Sequence, residues 1–503
     1  MIQRITAIVR ADVLVRFRRF STVVIFLLLS ASVLMWVPDP KTGKTLISIG
    51  GHRALYNSGA VGLATAMLAT MFVGLFGFYV ISNAVRRDVS SRCGFVAAST
   101  EMRSWEYLAG KFLGNVVFLA TFMTGFMLAA MAMLVIRAEA PVQPFVFATQ
   151  YLILIPSTIV FVSVLAIVFE SIPWLSGRFG DVAYFFLWLS LLGVVTSTLE
   201  HGGSRSVLYF DFIGFGYLFD FTRAAWHTKN LSIGQTTFDV KKAPIVVQGL
   251  WLNREWFLMR LTSTLGAIPL LGVAWLFFHR FDPSRVRAAA GKGKRSWLQL
   301  INRMIKPLVR PFAALAMRGG AASDAMLTIA SMPVIVVVAI ALGIAALAGR
   351  NVSVPAFFAL GVFIADIASR ERRAGTLGFV YSAPRLQSRF VLWKLTSALI
   401  VAAVLMALPL LHTHSIAATL VAIFFVCALA TSLGIVSGNP KTFIVVYLTL
   451  WYVSLSDKGA TPALNFAGFL HAPPPAVVAG YFAVALALLA GAMGMHRRIL
   501  RHA

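Results

Sequence analysis

The chain has 503 residues, of which 59% are hydrophobic and only 12% charged. Soluble domains carry about 25% charged residues to keep their surfaces wet, so an ordinary soluble protein is excluded and lipid is the expected solvent for most of the chain. Lys and Arg outnumber Asp and Glu by 44 to 18, a formal net charge of +26. The basic residues lie between apolar runs and form no soluble basic domain. They read as positive-inside topology on anionic inner-leaflet lipids, and nucleic-acid binding is not expected.

In chain order, Ile2, Ile5, Val9 and Val13 share one helical face and arginines occupy the rest, the pattern of a helix lying in the membrane interface. The first apolar run has no small-residue cleavage site behind it, so no cleaved signal peptide is expected. A membrane-crossing helix needs roughly 20 mostly apolar residues. Twelve such segments are predicted, at 21–37, 58–82, 112–136, 147–170, 182–199, 258–278, 325–347, 354–369, 390–411, 416–436, 442–456 and 475–495.

An even number of spans puts both ends on one side of the membrane, and the basic residues choose the side. Arg4, Arg10, Arg16, Arg18 and Arg19 precede span 1, ten Lys or Arg lie between His279 and Gly320, and Arg497, Arg498 and Arg501 follow span 12. These three regions are predicted cytoplasmic. Residues Glu200 to Trp256 hold six basic and five acidic residues, the near balance of an outward loop. The expected organisation is a first six-span unit over 1–278 with outward loop 200–257, a basic linker over 279–324, and a second six-span unit over 325–503. Within the linker, Trp297, Leu300, Ile301, Met304, Ile305, Leu308 and Phe312 recur at helical spacing, which predicts a second interfacial helix. The fold class expected is an all-α polytopic membrane protein of two pseudo-symmetric six-helix bundles.

The halves share a pattern. After span 2 the chain reads Arg86-Arg87-Asp88, then Gly94-Phe95-Val96, then Lys111; after span 8 it reads Arg370-Glu371-Arg372, then Gly378-Phe379-Val380, then Lys394. The triplets are 284 residues apart and the lysines 283, so one single-residue gap aligns them and points to duplication. Each basic segment, 86–111 and 370–394, is amphipathic and continues into a span. A segment so placed can pass motion from a soluble partner to the spans, whereas plain anchoring by arginine explains any single residue but explains the repeat less well.

These residues resemble the inner segment of type-2 ABC exporter permeases. Arg87, Asp88, Gly94, Ser99, Thr100, Tyr107 and Lys111 match the pattern in the first half, and Arg370, Glu371, Gly375, Thr376, Ser382, Pro384 and Lys394 match it in the second. The first half departs from it at Glu101, where proline is usual, and the second at Phe390, which replaces tyrosine. The resemblance implies that both segments, Arg86 included, are coupling elements docking on two copies of a cytoplasmic ATPase subunit that supplies the bound ATP and Mg. It also implies a bacterial inner-membrane location and no enzymatic activity or cofactor in this chain. Phe210-Asp211-Phe212, Phe219-Asp220-Phe221, Ala225-Trp226, Asn230 and Leu252-Asn253-Arg254 look like the outward loop of a twelve-span branch of that family, some members of which continue into a zinc aminopeptidase. No His-Glu-x-x-His occurs here.

A phosphate loop requires Gly-x-x-x-x-Gly-Lys-Ser/Thr, so that backbone amides wrap the phosphates. Gly43-Lys44-Thr45 imitates its end but has Pro38 at the first position. Asp211 and Asp220 could serve as an acid-base pair in a polytopic enzyme if the fold brought them into one cleft. Glu170 and Asp366 are expected at inner helix ends reaching water, with Asp366 four residues before Arg370 and able to pair with it. The alternatives left open are a twelve-span secondary transporter and a polytopic membrane enzyme acting through the outward loop.

Overall fold

The computed structural model describes residues 1–278 and 320–502, apart from positions 19, 91, 92, 229, 333, 383, 458 and 460. The predicted linker helix around Trp297 to Phe312 lies outside the described residues. The chain divides into two compact units, Met1–Val286 and Arg287–Ala503.

In the first unit, α1 (Ile2–Phe17) and α2 (Phe20–Trp36) are bent by 75° against one another. After them come α3 (Ser58–Phe72), a π turn at Val73–Gly77, α4 (Phe78–Ile81), α5 (Ala84–Ser90) and α6 (Cys93–Ser99). Then follow α7 (Ser104–Arg137), α8 (Pro144–Ser171), α9 (Arg178–Glu200), α10 (Phe215–Trp226), α11 (Arg254–Leu265) and α12 (Leu270–Phe277). Helices α3 and α8 form the centre: Ser58 through Thr70 are all buried, and α8 is buried along most of its length. At the π turn the Tyr184 hydroxyl of α9 donates to the Gly74 carbonyl. Tyr184 also stacks on Phe78, with ring centroids 3.7 Å apart.

One end of this unit carries a small sheet that the all-α expectation did not contain. β1 (Lys44–Ile49) is the middle strand, antiparallel to β2 (His52–Arg53) and to β3 (Leu231–Thr237), with Ile47 opposite Ile233. The turn from β1 to β2 is Gly50-Gly51, at φ +59° and +84°. Two consecutive positive φ angles are what a tight hairpin needs and what glycine alone supplies at no steric cost. The short β-favouring run Thr45-Leu46-Ile47-Ser48-Ile49 followed by the Gly50-Gly51 pair was legible as a hairpin signal in the sequence. Arg53 holds Glu139, from the α7–α8 connection, with Nη1 2.9 and 2.8 Å from its two carboxylate oxygens, and the Tyr56 N–H donates to the same carboxylate at 2.9 Å.

In the second unit, α13 (Ala321–Ser331) and α14 (Val334–Leu347) are bent by 90°, so predicted span 325–347 is not a straight helix. The remaining elements are α15 (Ser353–Ile364), α16 (Arg370–Ala374), α17 (Leu377–Tyr381), α18 (Pro384–Met406), α19 (Ile416–Ser437), α20 (Pro440–Ser456) and α21 (Pro475–His502). α15 packs on α20 where Gly361 meets Tyr447, and the Tyr447 hydroxyl donates to the Phe357 carbonyl at 2.7 Å.

Among the described residues, eight helices are long and apolar enough to cross a membrane, or ten if each bent pair counts as one span. The chain is therefore a multi-pass α-helical membrane protein. The predicted spans 354–369 and 442–456 fall on α15 and α20, of 12 and 17 residues. At 1.5 Å per residue, 12 residues reach about 18 Å, short of the ~30 Å hydrocarbon core.

Two outcomes test this packing. A Cβ at position 361 would lie 1.9 Å from the Tyr447 ring, so Gly361→Ala is expected to destabilise the detergent-solubilised chain by about 1–3 kcal/mol, read as a lower unfolding temperature; unchanged melting would contradict the contact. Burial raises the Glu139 carboxyl, but the Arg53 hydrogen bond, the Tyr56 N–H and the Arg53 charge outweigh it and hold the carboxyl below its ordinary value. The stability it contributes is therefore present above the ordinary carboxylate range and is lost as pH falls through the lowered value. Glu139→Gln should melt below wild type at neutral pH, and the gap should close on acidification.

Candidate functional site: buried ion clusters at the basic segments

In the first unit, the helix of the basic segment begins at a break. Asn83 takes φ +81°, and the N–H groups of Ala84, Val85 and Arg86 are capped by the Glu170 carboxylate of α8 at 3.1, 2.7 and 3.3 Å, with Asn83 donating to it as well. A carboxylate at a helix N-terminus satisfies orphan donors and meets the positive end of the helix dipole. Glu170 is thus a cap, where the sequence reading had it reaching water.

α5 delivers Arg87 and Asp88 to a cluster with α1 and α7. Lys111 Nζ lies 3.0 Å from Asp12 Oδ1 and 2.8 Å from Asp88 Oδ2. Asp12 also receives Arg16 Nη2 at 2.6 Å and Arg87. The Tyr107 hydroxyl donates to Asp88 at 2.8 Å, and Arg16 to Asn115 at 2.6 Å. Asp12 and Lys111 are buried. α1 can lie this close to α7 because Gly110 and Gly114 face it: a Cβ at Gly110 would stand 2.8 Å from Ile8.

In the second unit, Lys394 of α18 is fully buried. Its Nζ lies 3.0 Å from Asp324 Oδ2 of α13 and contacts Glu371 of α16. Arg370 reaches Asp324 at 3.6 Å and Asp366 at 3.4 Å, and donates to Thr328 Oγ1 at 2.8 Å. The Ser397 hydroxyl donates to the Ala321 carbonyl at 3.0 Å, which fixes the start of α13 on α18. Asp366 and Arg370 do pair as the four-residue spacing indicated, but Asp366 is buried and does not reach water.

The candidate residues therefore separate into two sets. Arg87, Asp88, Lys111, Arg370, Glu371 and Lys394 are engaged within the protein. Arg86, Ser99, Thr100, Gly375, Thr376 and Ser382 are exposed, and Gly94 is buried. Pro384 starts α18, and its side chain lies outside the described residues. Sequence reasoning missed Asp12 and Asp324, the acids that complete each cluster. The signal was present in both: a single acid on an otherwise basic or apolar helix.

In loop 200–257 the two aspartates go to separate partners. Asp211 is buried and caps α10, accepting from the N–H groups of Gly214 and Tyr217 at 2.8 Å each, and burial pushes its carboxyl up. Asp220 instead pairs with Arg205 at 2.6 Å. Arg260, also missed, packs on α8 beside Pro156. It donates to the carbonyls of Ile153, Leu154 and Asp211 at 3.2, 2.9 and 2.8 Å, and to Ser157.

Removing a partner from a buried ion pair costs about 3–5 kcal/mol, because a charge is stranded. Lys394→Met should approach that loss, since Glu371 keeps no other cation at hydrogen-bond distance among those described here. Lys111→Met should lose less, since Asp12 keeps Arg16 and Arg87. Equal shifts in unfolding temperature, measured by intrinsic tryptophan fluorescence, would contradict this ranking.

The chain matches no family model, no curated protein and no solved structure, so the chemistry of the clusters is read from its own residues.

Proposed function

We propose that this chain is the permease of an ATP-driven exporter of the type-2 ABC kind, in a bacterial inner membrane, and that its two basic segments couple it to two separate cytoplasmic ATPase subunits. The observation that carries the reading is the twin ion clusters. In both, a buried lysine of a long helix bridges the acid of the basic segment and the acid of a short helix bent away from the next span. Asp88 and Glu371 each precede their lysine by 23 residues. Residues that only anchor a loop would reach out to lipid head groups; these are turned inward and tie three helices at one point. A load applied to such a segment moves the long helix with it, which is what coupling requires.

The pseudo-symmetric arrangement of two six-span units belongs to this proposal, supported by the 283-residue register of Arg87, Asp88, Tyr107 and Lys111 with Arg370, Glu371, Phe390 and Lys394. So do the count of twelve spans, which takes α15 and α20 as spans, and the cytoplasmic placement of both termini and the linker. The exposed residues Arg86, Ser99, Thr100, Thr376 and Ser382 meet the ATPase, and the buried ones transmit.

The division of labour changes which variants are informative. Reversing charge at Arg87, Asp88, Arg370 or Glu371 would break the clusters and report on folding, so docking is tested from Ser99 and Ser382. Cys93 is exposed and Cys427 buried, so Cys93→Ser provides the background. In it, Ser99→Cys and Ser382→Cys are expected to crosslink a copurified soluble protein that contains a phosphate loop, while Gly203→Cys is labelled from outside the cell. Well-folded protein that crosslinks from neither position would overturn the reading.

A further inference from the structure

Residues 370–394 contain one acid, Glu371, against six basic residues. That acid is consumed by Lys394 inside the protein, while Arg372, Arg373 and Arg389 are exposed. The surface this segment shows to its surroundings is therefore basic. From it projects Phe379, 84% exposed, the highest value among the large apolar side chains described. Around it Leu377, Val380 and Tyr381 are half-buried, Thr376 and Ser382 are exposed, and a Cβ added at Gly375 or Gly378 would meet nothing within 4 Å. The ring stands on a fixed support. The Thr376 N–H closes the turn onto the Glu371 carbonyl at 3.0 Å, and Tyr381 packs edge-on against Phe390 and His496 at 5.7 and 5.4 Å.

Resting on the permease reading, we propose that Phe379 is the anchor of the second basic segment, seating in an apolar pocket rimmed by carboxylates on the ATPase subunit. A projecting aromatic ring flanked by glycine is the form of an interface hot spot, since it brings large apolar area with few rotatable bonds to fix. The bare backbone at Gly375 and Gly378 lets a partner chain close around the ring, and the exposed arginines select an acidic rim. A segment that inserts into a bilayer presents an apolar face of several residues, whereas here one ring projects while Leu377, Val380 and Tyr381 are half-buried. The first segment is built differently: Gly94 is buried, Phe95, which matches Phe379 in register, is only 36% exposed, Val96 is 68% exposed, and Glu101 lies beside Arg4 at 3.3 Å. The anchor therefore belongs to the second half.

The test places the photocrosslinking residue p-benzoylphenylalanine at position 379 of the full chain in its native host, with the adduct identified by mass spectrometry. The expected product is a soluble protein containing a phosphate loop, joined at a peptide that carries both apolar and acidic residues. Lipid adducts alone, alongside successful crosslinks from Ser99→Cys or Ser382→Cys, overturn the anchor and leave the permease reading standing. An adduct on a soluble protein without a phosphate loop overturns both. In parallel, Phe379→Ala and Gly378→Ala should each reduce the copurified ATPase at least tenfold with unchanged unfolding temperature, and Leu392→Ala, an exposed residue on α18, should not. Full retention of the ATPase by Phe379→Ala overturns the proposal.

Discussion

A lysine buried between two carboxylates is the constraint on which each unit depends. An ammonium group taken out of water without partners costs several kcal/mol, so Lys111 and Lys394 can be buried only if two acids from other elements come to them. Asp12 and Asp88 answer Lys111, and Asp324 and Glu371 answer Lys394. Because each acid rides on a different helix, satisfying one lysine fixes the positions of three elements at once. The close approach of α1 to α7 over Gly110 and the Ser397 bond to the Ala321 carbonyl follow from the same requirement.

The same logic recurs wherever a helix is interrupted. In an apolar surround each freed backbone group must find a partner, and here charged or hydroxyl side chains supply it. Glu170 caps the N–H groups exposed at the Asn83 break, Arg260 donates to carbonyls of α8 beside Pro156, and the Tyr184 hydroxyl donates to the Gly74 carbonyl at the π turn. Charges in apolar helices that look like candidates for transport chemistry thus have structural work at breaks, and this accounts for Glu170 and Arg260 without a bound ion.

The two clusters are similar in plan and unequal in detail. Where Tyr107 donates to Asp88 in the first, Phe390 at the matching register stacks with His496 in the second. Where Arg16 reinforces Asp12, four residues on from Asp324 stands Thr328, which accepts from Arg370 instead. The first cluster carries the extra cation and the second the extra acid. The two clusters thus have different neighbours, and the segments expose different surfaces, with Val96 foremost in one and Phe379 in the other.

The amino-acid sequence by itself determined the solvent, most of the helices, and the repeated acid-to-lysine spacing, because apolar run length and local charge spacing are properties of neighbouring residues. The hairpin at Gly50-Gly51 was equally local and could have been read. The tertiary structure alone decided that Asp12 and Asp324 complete the clusters, since they lie 99 and 70 residues from their lysines and no periodicity spans such a separation. It alone decided that Asp211 and Asp220 go to separate partners, and that the helices at 325–347 and 354–369 are bent or short. Bends and long-range pairs are fixed by which helices pack together. In an apolar chain nearly every face is equally suited to packing, so the choice rests with the few polar groups that must be satisfied.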